Sequence, residues 1–189
     1  MSESLVTTQS ALDRLNRSME KSSLDDLVKA RTRRSLLLVD CSGSMVNYTR
    51  QGERRIDTLR KVVKGLRETH PVPVAAFGCG GVVLVDDIPE PDGGTPLHLA
   101  IQYGHREGAT HLVVVTDGVP DSQGACFEAA REFGRPIDTF YIGDGDCEGS
   151  RFCAELARMT GGTAHLTDLG KPKQLTSQIA GLLGDGGVL

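Results

Sequence analysis

The sequence predicts an α/β protein with a Rossmann-like, doubly wound, mostly parallel sheet of about six strands and helices on both faces. Two observations predict this class. Short apolar runs alternate with longer segments whose apolar residues recur every three or four positions, as in amphipathic helices. Several of the short runs are continuously apolar, which is typical of strands covered on both faces of a parallel sheet. Strands and helices in alternation favour an open parallel sheet between two layers of helices.

The strands follow from the apolar runs, taken in chain order. We expect them at residues 35–39, 72–77, 82–85, 111–116, 137–142 and 163–166. The second and third runs are separated by Gly78-Cys79-Gly80-Gly81, a linker that suits a tight hairpin. One of these two strands is therefore expected to be antiparallel and to lie at or near an edge of the sheet.

The helices follow from the segments with three- and four-residue spacing. We expect them at residues 55–69, 96–106, 123–133, 150–159 and 172–183. In the first of these, Ile56, Leu59 and Val63 fall on one face. Pro96 suits the first turn of the second, where its missing N–H costs no hydrogen bond.

The chain divides into three parts. Residues 1–33 are polar, contain no glycine and show only weak helical periodicity, so they are expected to form an N-terminal extension of two short helices. This extension either packs against the main domain or serves as a detachable partner-binding segment. Residues 34–183 form the main domain, and residues 184–189 are expected to be a flexible tail.

Composition limits the function classes. The net charge is −4 and the chain has no Trp, so a nucleic-acid-binding surface is not expected, although Arg31, Arg33 and Arg34 form a basic cluster before the first strand. No apolar stretch approaches the ~18 residues of a membrane-spanning helix, and the first residues do not resemble a secretory signal. The five cysteines are scattered and include no C-x-x-C pair, which favours reduced thiols in the cytoplasm. The oligomeric state stays open.

Oxygen-bearing side chains follow three of the predicted elements. Asp40, Ser42 and Ser44 come at the end of the first strand in the motif DCSGSM. Thr95 lies at a helix start in GGTPL, and Asp117 directly follows a buried strand in TDGVPD. Because ligands bind beyond the carboxyl ends of strands in such sheets, we expect these side chains to share one site. Two carboxylates and three hydroxyls are hard donors, which suit Mg²⁺, Mn²⁺ or Ca²⁺ and disfavour zinc.

These three motifs, in this order in an alternating α/β chain, resemble the von Willebrand factor type A (VWA) domain and its metal-ion-dependent adhesion site (MIDAS). The resemblance covers about residues 34–183. It implies that Ser42 and Ser44 bind Mg²⁺ directly and that Thr95 binds it directly or through water. Asp40 and Asp117 would hold the ion directly or through water and would orient the serines. The resemblance also implies an open coordination position that an Asp or Glu of a partner protein fills. Compact forms of the bacterial intracellular type further suggest an AAA+ ATPase system as partner.

The expected function is therefore a non-enzymatic, divalent-metal-dependent protein-binding module. The alternative is a Mg²⁺-dependent phosphohydrolase that uses Asp40 at the strand tip. Such an enzyme would need a second carboxylate two residues on or a nearby lysine. Position 42 is a serine, and no lysine lies between Arg34 and Asn47. The chain also lacks the G-x-x-x-x-G-K-[ST] and G-x-S-x-G motifs, so ATP hydrolysis and α/β-hydrolase chemistry are not expected.

A second acidic segment, residues 144–155, is similar in spacing to an EF-hand calcium loop. It follows a predicted strand rather than a helix, and Glu148 stands where Asp or Asn is usual. Acidic residues are also favoured at the start of a helix, which explains the segment without a metal. A weak second calcium site, with ligands between Asp144 and Glu155, stays open at this point.

Overall fold

The apolar runs of the sequence form strands in the computed structural model, which describes residues 34–78, 80–143, 147–167 and 171–183. The strands are β1 (Ser35–Cys41), β2 (Val74–Gly78), β3 (Gly81–Leu84), β4 (His111–Thr116), β5 (Ile137–Tyr141) and β6 (Ala164–Leu166). The α-helices are α1 (Arg55–Thr69), α2 (Leu97–Arg106), α3 (Gln123–Phe133), α4 (Glu148–Thr160) and α5 (Pro172–Leu183). A short 3₁₀-helix, Gly43–Val46, follows β1.

The strands form one sheet in the order β3-β2-β1-β4-β5-β6. Strand β3 pairs antiparallel with β2, and the other neighbouring strands pair in parallel. The hairpin therefore puts the antiparallel strand at the edge of the sheet. The prediction of a Rossmann-like, mostly parallel sheet with one antiparallel edge strand is confirmed.

The strand order reverses between β1 and β4. The chain runs from β1 outward to β2 and β3, and then returns across the sheet to begin β4 on the other side of β1. Such a reversal opens a crevice beyond the carboxyl ends of the two central strands, where α/β proteins commonly bind ligands. Asp40 is the last residue but one of β1, and Asp117 directly follows β4. The topology thus places one carboxylate on each side of the reversal.

Helices cover both faces of the sheet. In β1, Leu37 and Val39 point to a core shared with α1 and α5, whereas Leu36 and Leu38 point to a second core shared with α2, α3 and α4. All four side chains are buried, as the alternating directions of a strand require when both faces are covered. Each of them contributes roughly 2 kcal/mol to the free energy of unfolding through burial. These two cores hold the central strands, and hence the loops that follow them, in place.

Several element boundaries differ from the predicted ones. Strand β1 continues through Cys41, so Asp40 lies within the strand and is buried. Strand β2 begins at Val74 rather than at residue 72, since Pro73 has no N–H to donate to a neighbouring strand. Helix α2 begins at Leu97, with Pro96 as its cap rather than its first residue. Helix α4 begins at Glu148, two residues earlier than expected.

A polar network joins the amino ends of three neighbouring strands, at the edge of the sheet opposite the predicted site. The Ser35 hydroxyl lies 3.0 Å from His111 Nδ1, and His111 Nε2 lies 2.7 Å from Asp138 Oδ2. Asp138 Oδ1 accepts a hydrogen bond from the Thr163 N–H at 2.6 Å. The His111 ring is 1% exposed, so this serine, histidine and aspartate tie β1, β4 and β5 together within the sheet. They lie at the amino ends of these strands, away from the edge that carries the predicted site.

The predicted N-terminal extension (residues 1–33) and tail (residues 184–189) lie outside the described residues. Within the part of the chain that the structure describes, every helix is too short or too polar to cross a membrane.

Candidate metal centre

The first loop is organised by the buried carboxylate of Asp40. Its Oδ1 accepts a hydrogen bond from the Ser42 N–H at 2.8 Å, and its Oδ2 accepts one from the Thr116 hydroxyl at the end of β4. The Met45 N–H then donates to the Ser42 carbonyl at 3.0 Å, which starts the 3₁₀-helix. Asp40 thus fixes the turn after β1 and links it to the neighbouring strand.

A chain of hydrogen bonds joins this loop to the loop after β4. The Ser42 and Ser44 hydroxyl oxygens are 3.0 Å apart, and the Ser44 hydroxyl donates to Asp117 Oδ1 at 2.6 Å. The Asp117 side chain is 0% exposed, and its Oδ2 accepts a hydrogen bond from Arg55 Nη1 at 2.6 Å. Two hydroxyls, a carboxylate and a guanidinium therefore lie side by side at the strand-order reversal.

Thr95 completes the group from a third segment. A Cβ atom built on Gly118 would lie 3.8 Å from both Ser44 Oγ and Thr95 Oγ1, so the two hydroxyls flank the same point. Thr95 is held by Asp121, whose Oδ1 accepts the Thr95 N–H at 2.8 Å and whose own N–H donates to the Thr95 carbonyl at 3.0 Å. The main chain of Thr95 is consequently fixed relative to the loop after β4.

Backbone hydrogen bonds join the loop after β1 to the segment that carries Thr95. The Gly43 N–H donates to the Gly93 carbonyl at 3.0 Å, and the Asp92 N–H donates to the Cys41 carbonyl at 2.9 Å. These two main-chain bonds set Gly93 and Asp92 beside the loop that follows β1. The structure therefore brings the predicted residues to one edge of the sheet, namely Asp40, Ser42, Ser44, Thr95 and Asp117.

Three neighbours of the site were not predicted from the sequence. Thr116 donates a hydrogen bond to Asp40. The sequence feature that could have identified it is a hydroxyl at the carboxyl end of a buried strand. Asp121 supports Thr95 and lies within TDGVPD, four residues after Asp117. Arg55 contacts Asp117 from the first position of α1, where the helix dipole disfavours a positive charge. That electrostatic conflict was the signal for Arg55.

Burial makes Asp40 a weak acid for an aspartate. Removal from water raises its pKa from the usual 3.8 to about 6, and the nearby Asp117 charge raises it slightly. The hydrogen bonds from Ser42 and Thr116 act in the opposite direction by stabilising the charged form. Because metals bind ionised carboxylates, a divalent cation at Asp40 would compete with protons below about pH 6.

This pKa predicts a pH-dependent effect of Asp40→Asn on the metal-free protein. The folded state holds the Asp40 proton more tightly than the unfolded state, so the contribution of Asp40 to stability is present below about pH 4 and lost as the pH rises to about 6. Asparagine avoids this loss. The free energy of unfolding of Asp40→Asn minus that of wild type should therefore increase by roughly 2–3 kcal/mol as the pH rises from 4 to 8. Urea denaturation in EDTA at both pH values measures it, and an unchanged difference would contradict the assigned pKa.

The donor set fits a small, hard cation. It consists of two carboxylate groups and three hydroxyl groups, and oxygen atoms of these kinds coordinate Mg²⁺, Mn²⁺ and Ca²⁺ in proteins. Within the described ranges no three His, Cys, Asp or Glu side chains cluster as a metal site. Any ion at this edge must therefore be held largely by neutral hydroxyls. When Asp40 is ionised, the side chains of Asp40, Asp117 and Arg55 together carry a formal charge of −1.

The second acidic segment is only partly described. Asp144 and Asp146 lie outside the described residues. Glu148 begins α4 and accepts a hydrogen bond from Gln123 Nε2 at 2.8 Å, whereas Glu155 is exposed on the same helix. Seven residues of helix separate these two carboxylates by about 10 Å along the axis, so they do not bind one ion together.

Comparisons with known proteins identify the fold only. No family model and no curated protein matches the chain. Among solved structures, proximal thread matrix protein 1 from the mussel byssus is similar with a TM-score of 0.60 and 14% identity over 80% of this chain and 48% of that one. The RO (RSR) protein of Deinococcus radiodurans is similar with a TM-score of 0.51 and 18% identity over 80% of this chain and 35% of that one. The chain thus spans less than half the length of either neighbour, and both support the α/β architecture described above.

Proposed function

We propose that this protein is a non-enzymatic, divalent-metal-dependent protein-binding module of the VWA type. In this proposal Ser42, Ser44 and Thr95 bind Mg²⁺ through their hydroxyls, with Mn²⁺ or Ca²⁺ as alternatives. Asp40 and Asp117 supply negative charge and hold the serines. The observation that carries the proposal is the hydrogen-bonded series Ser42–Ser44–Asp117, which lies at the reversal of strand order.

The chain's own residues would prepare the site before a partner arrives. The Asp40 carboxylate orients Ser42 by accepting a hydrogen bond from the Ser42 N–H. The Asp117 carboxylate orients Ser44 by accepting one from the Ser44 hydroxyl. Because the hydroxyls are neutral, a bound dication would keep much of its positive charge and would attract a further carboxylate. An Asp or Glu side chain of a partner protein has the required charge and oxygen donors.

Exposed apolar side chains support a protein partner over a small free anion. Four of the seven exposed large apolar side chains among the described residues belong to the segments that carry the oxygen ligands. They are Val46 and Tyr48 after β1, Leu99 in the helix that follows Thr95, and Val119 after Asp117. Exposed apolar groups on the segments that carry a polar site are typical of protein interaction sites, and Tyr is enriched at such interfaces. We call these four residues the apolar rim.

The state of Asp40 argues against the alternative of a phosphohydrolase. Asp40 is 0% exposed, and both of its oxygens already accept hydrogen bonds, from Ser42 and Thr116. A nucleophilic or proton-transferring carboxylate needs access to the substrate. Mg²⁺-dependent turnover of p-nitrophenyl phosphate that Asp40→Ala abolishes would favour the enzyme instead.

The partner class is proposed from the sequence resemblance. It is a protein that presents Asp or Glu, with a cytoplasmic AAA+ ATPase system as the specific candidate, and it includes no nucleic acid or membrane. Affinity capture from lysate, with Mg²⁺ and with EDTA, tests this. A protein retained only with Mg²⁺ is expected, and both Ser44→Ala and Tyr48→Ser should lose it, the first by removing a ligand and the second by removing part of the apolar rim. Equal capture in Mg²⁺ and EDTA would contradict the proposal.

A further inference from the structure

Arg55 forms a close ion pair inside the candidate metal centre. Its Nη1 lies 2.6 Å from Asp117 Oδ2, the Arg55 side chain is 14% exposed and the Asp117 side chain is 0% exposed. Charged groups this close and this well shielded from water interact more strongly than a surface pair. The positive charge of Arg55 therefore acts on the same carboxylate that the proposed function assigns to the cation.

The position of Arg55 in α1 points to a role in the site. Arg55 is the first residue of a 15-residue helix, where the helix dipole favours negative side chains. The preceding residue, Arg54, makes ion pairs with Asp57 and Glu90 near the surface. Arg55 instead turns toward the loop after β4. The ion pair with Asp57 stabilises the start of the helix and explains the presence of Arg54. Helix stability does not explain the presence of Arg55.

We propose that Arg55 is an internal counter-ion that competes with the divalent cation for Asp117. This inference rests on the proposed function. With Arg55 present, ionised Asp40 and Asp117 leave the site a formal charge of −1, whereas without it the charge would be −2. The less negative site binds a dication more weakly on its own. A partner's carboxylate restores the missing charge, so metal and acidic partner bind cooperatively, each raising the affinity for the other.

The experiment is calorimetric titration of Mn²⁺ into wild type, Arg55→Gln, Arg55→Lys and Arg54→Gln at pH 8, with folding checked by circular dichroism. Coupling energies of close charge pairs predict about tenfold tighter Mn²⁺ binding by Arg55→Gln. Arg55→Lys keeps the charge and should stay near wild type. Arg54→Gln is the matched control, because it removes the same charge from the neighbouring residue. The Arg54 side chain pairs with Asp57 and Glu90 and not with Asp117.

Arg55→Met also removes the charge and replaces Arg55→Gln should that variant not fold. A measurement on wild type tests the cooperativity between the metal and a carboxylate. Acetate supplies the carboxylate, and Mn²⁺ should bind several-fold more tightly in acetate than in chloride of the same ionic strength. Mn²⁺ binding by Arg55→Gln or Arg55→Met no tighter than by wild type would overturn the counter-ion role and leave the metal site intact. An affinity in wild type that acetate leaves unchanged would overturn the cooperativity between the metal and a carboxylate. Absence of Mn²⁺ binding in every protein would overturn the proposed function itself.

Discussion

Replacing Asp117 with alanine is expected to abolish the thermal stabilisation that Mg²⁺ gives the wild-type protein. Asp117 accepts hydrogen bonds from Ser44 and Arg55, and its side chain is fully buried at the point where the three loops meet. At a Mg²⁺ concentration of 100 times Kd, binding to the folded state alone stabilises wild type by about 2.7 kcal/mol. For a chain of this size, that gain raises Tm by about 5–10 °C. Thermal scans with Mg²⁺ and with EDTA measure the difference.

The same substitution should also lower stability without metal. It removes the hydrogen bond between the Arg55 guanidinium, only 14% exposed, and the Asp117 carboxylate, and the loss of such a charged hydrogen bond costs about 2 kcal/mol. Asp117→Asn is a useful companion because it keeps the shape while removing the charge. Asp87→Ala is the control, since it removes one exposed carboxylate from the loop before α2. A Mg²⁺-induced shift in Asp117→Ala equal to that of wild type would disprove the assigned role.

Gly78→Ala is expected to have the second large effect, on both stability and metal response. Gly78 has a φ of 130°, and a Cβ there would lie 2.6 Å from the backbone of Cys41 and 2.8 Å from the Ser42 nitrogen. The clash is with main chain, so the turn that presents Ser42 must move. We expect a loss of about 3 kcal/mol in the free energy of unfolding and a weakened shift with Mg²⁺.

The same hairpin contains two matched controls. Gly80 has a φ of 82° but no atom within 4 Å of a built Cβ, so Gly80→Ala tests backbone strain alone and should cost about 1 kcal/mol. Gly81 has neither a positive φ nor a close neighbour, and Gly81→Ala should change stability by less than about 0.5 kcal/mol. Urea denaturation of the three variants separates the effects. Equal losses for Gly78→Ala and Gly80→Ala would show that the close approach of β2 to the Ser42 turn is unimportant.

The sequence was sufficient for the architecture because burial on two faces leaves a clear pattern. The run 36–39 has no polar residue, and the glycine-rich linker 78–81 allows only a tight connection. Those two features predicted a strand covered on both faces and an antiparallel strand at or near an edge, and the structure has both. Boundaries were less predictable. Asp40 and Cys41 belong to β1 because the pairing with β2 continues past the apolar run, which composition does not reveal.

The five residues of the candidate site were predictable because each lies at the end of a recognisable strand or at the start of a helix. Their supporting residues were not, since support depends on which side chains the fold brings together from distant segments. Arg55 lies 62 positions before Asp117, and Thr116 lies 76 positions after Asp40. Sequence spacing carries no information about such pairs. An arginine at the wrong end of a helix dipole is the type of local conflict that marks them.

The most direct test of a metal at the strand-order reversal is a crystal structure of the protein grown with Mn²⁺, with anomalous diffraction measured to locate the ion. The account predicts one strong anomalous peak among the hydroxyl oxygens of Ser42, Ser44 and Thr95, close to Asp117. Ordered loops in the arrangement described here, with Mn²⁺ in excess and no anomalous peak between them, would contradict it.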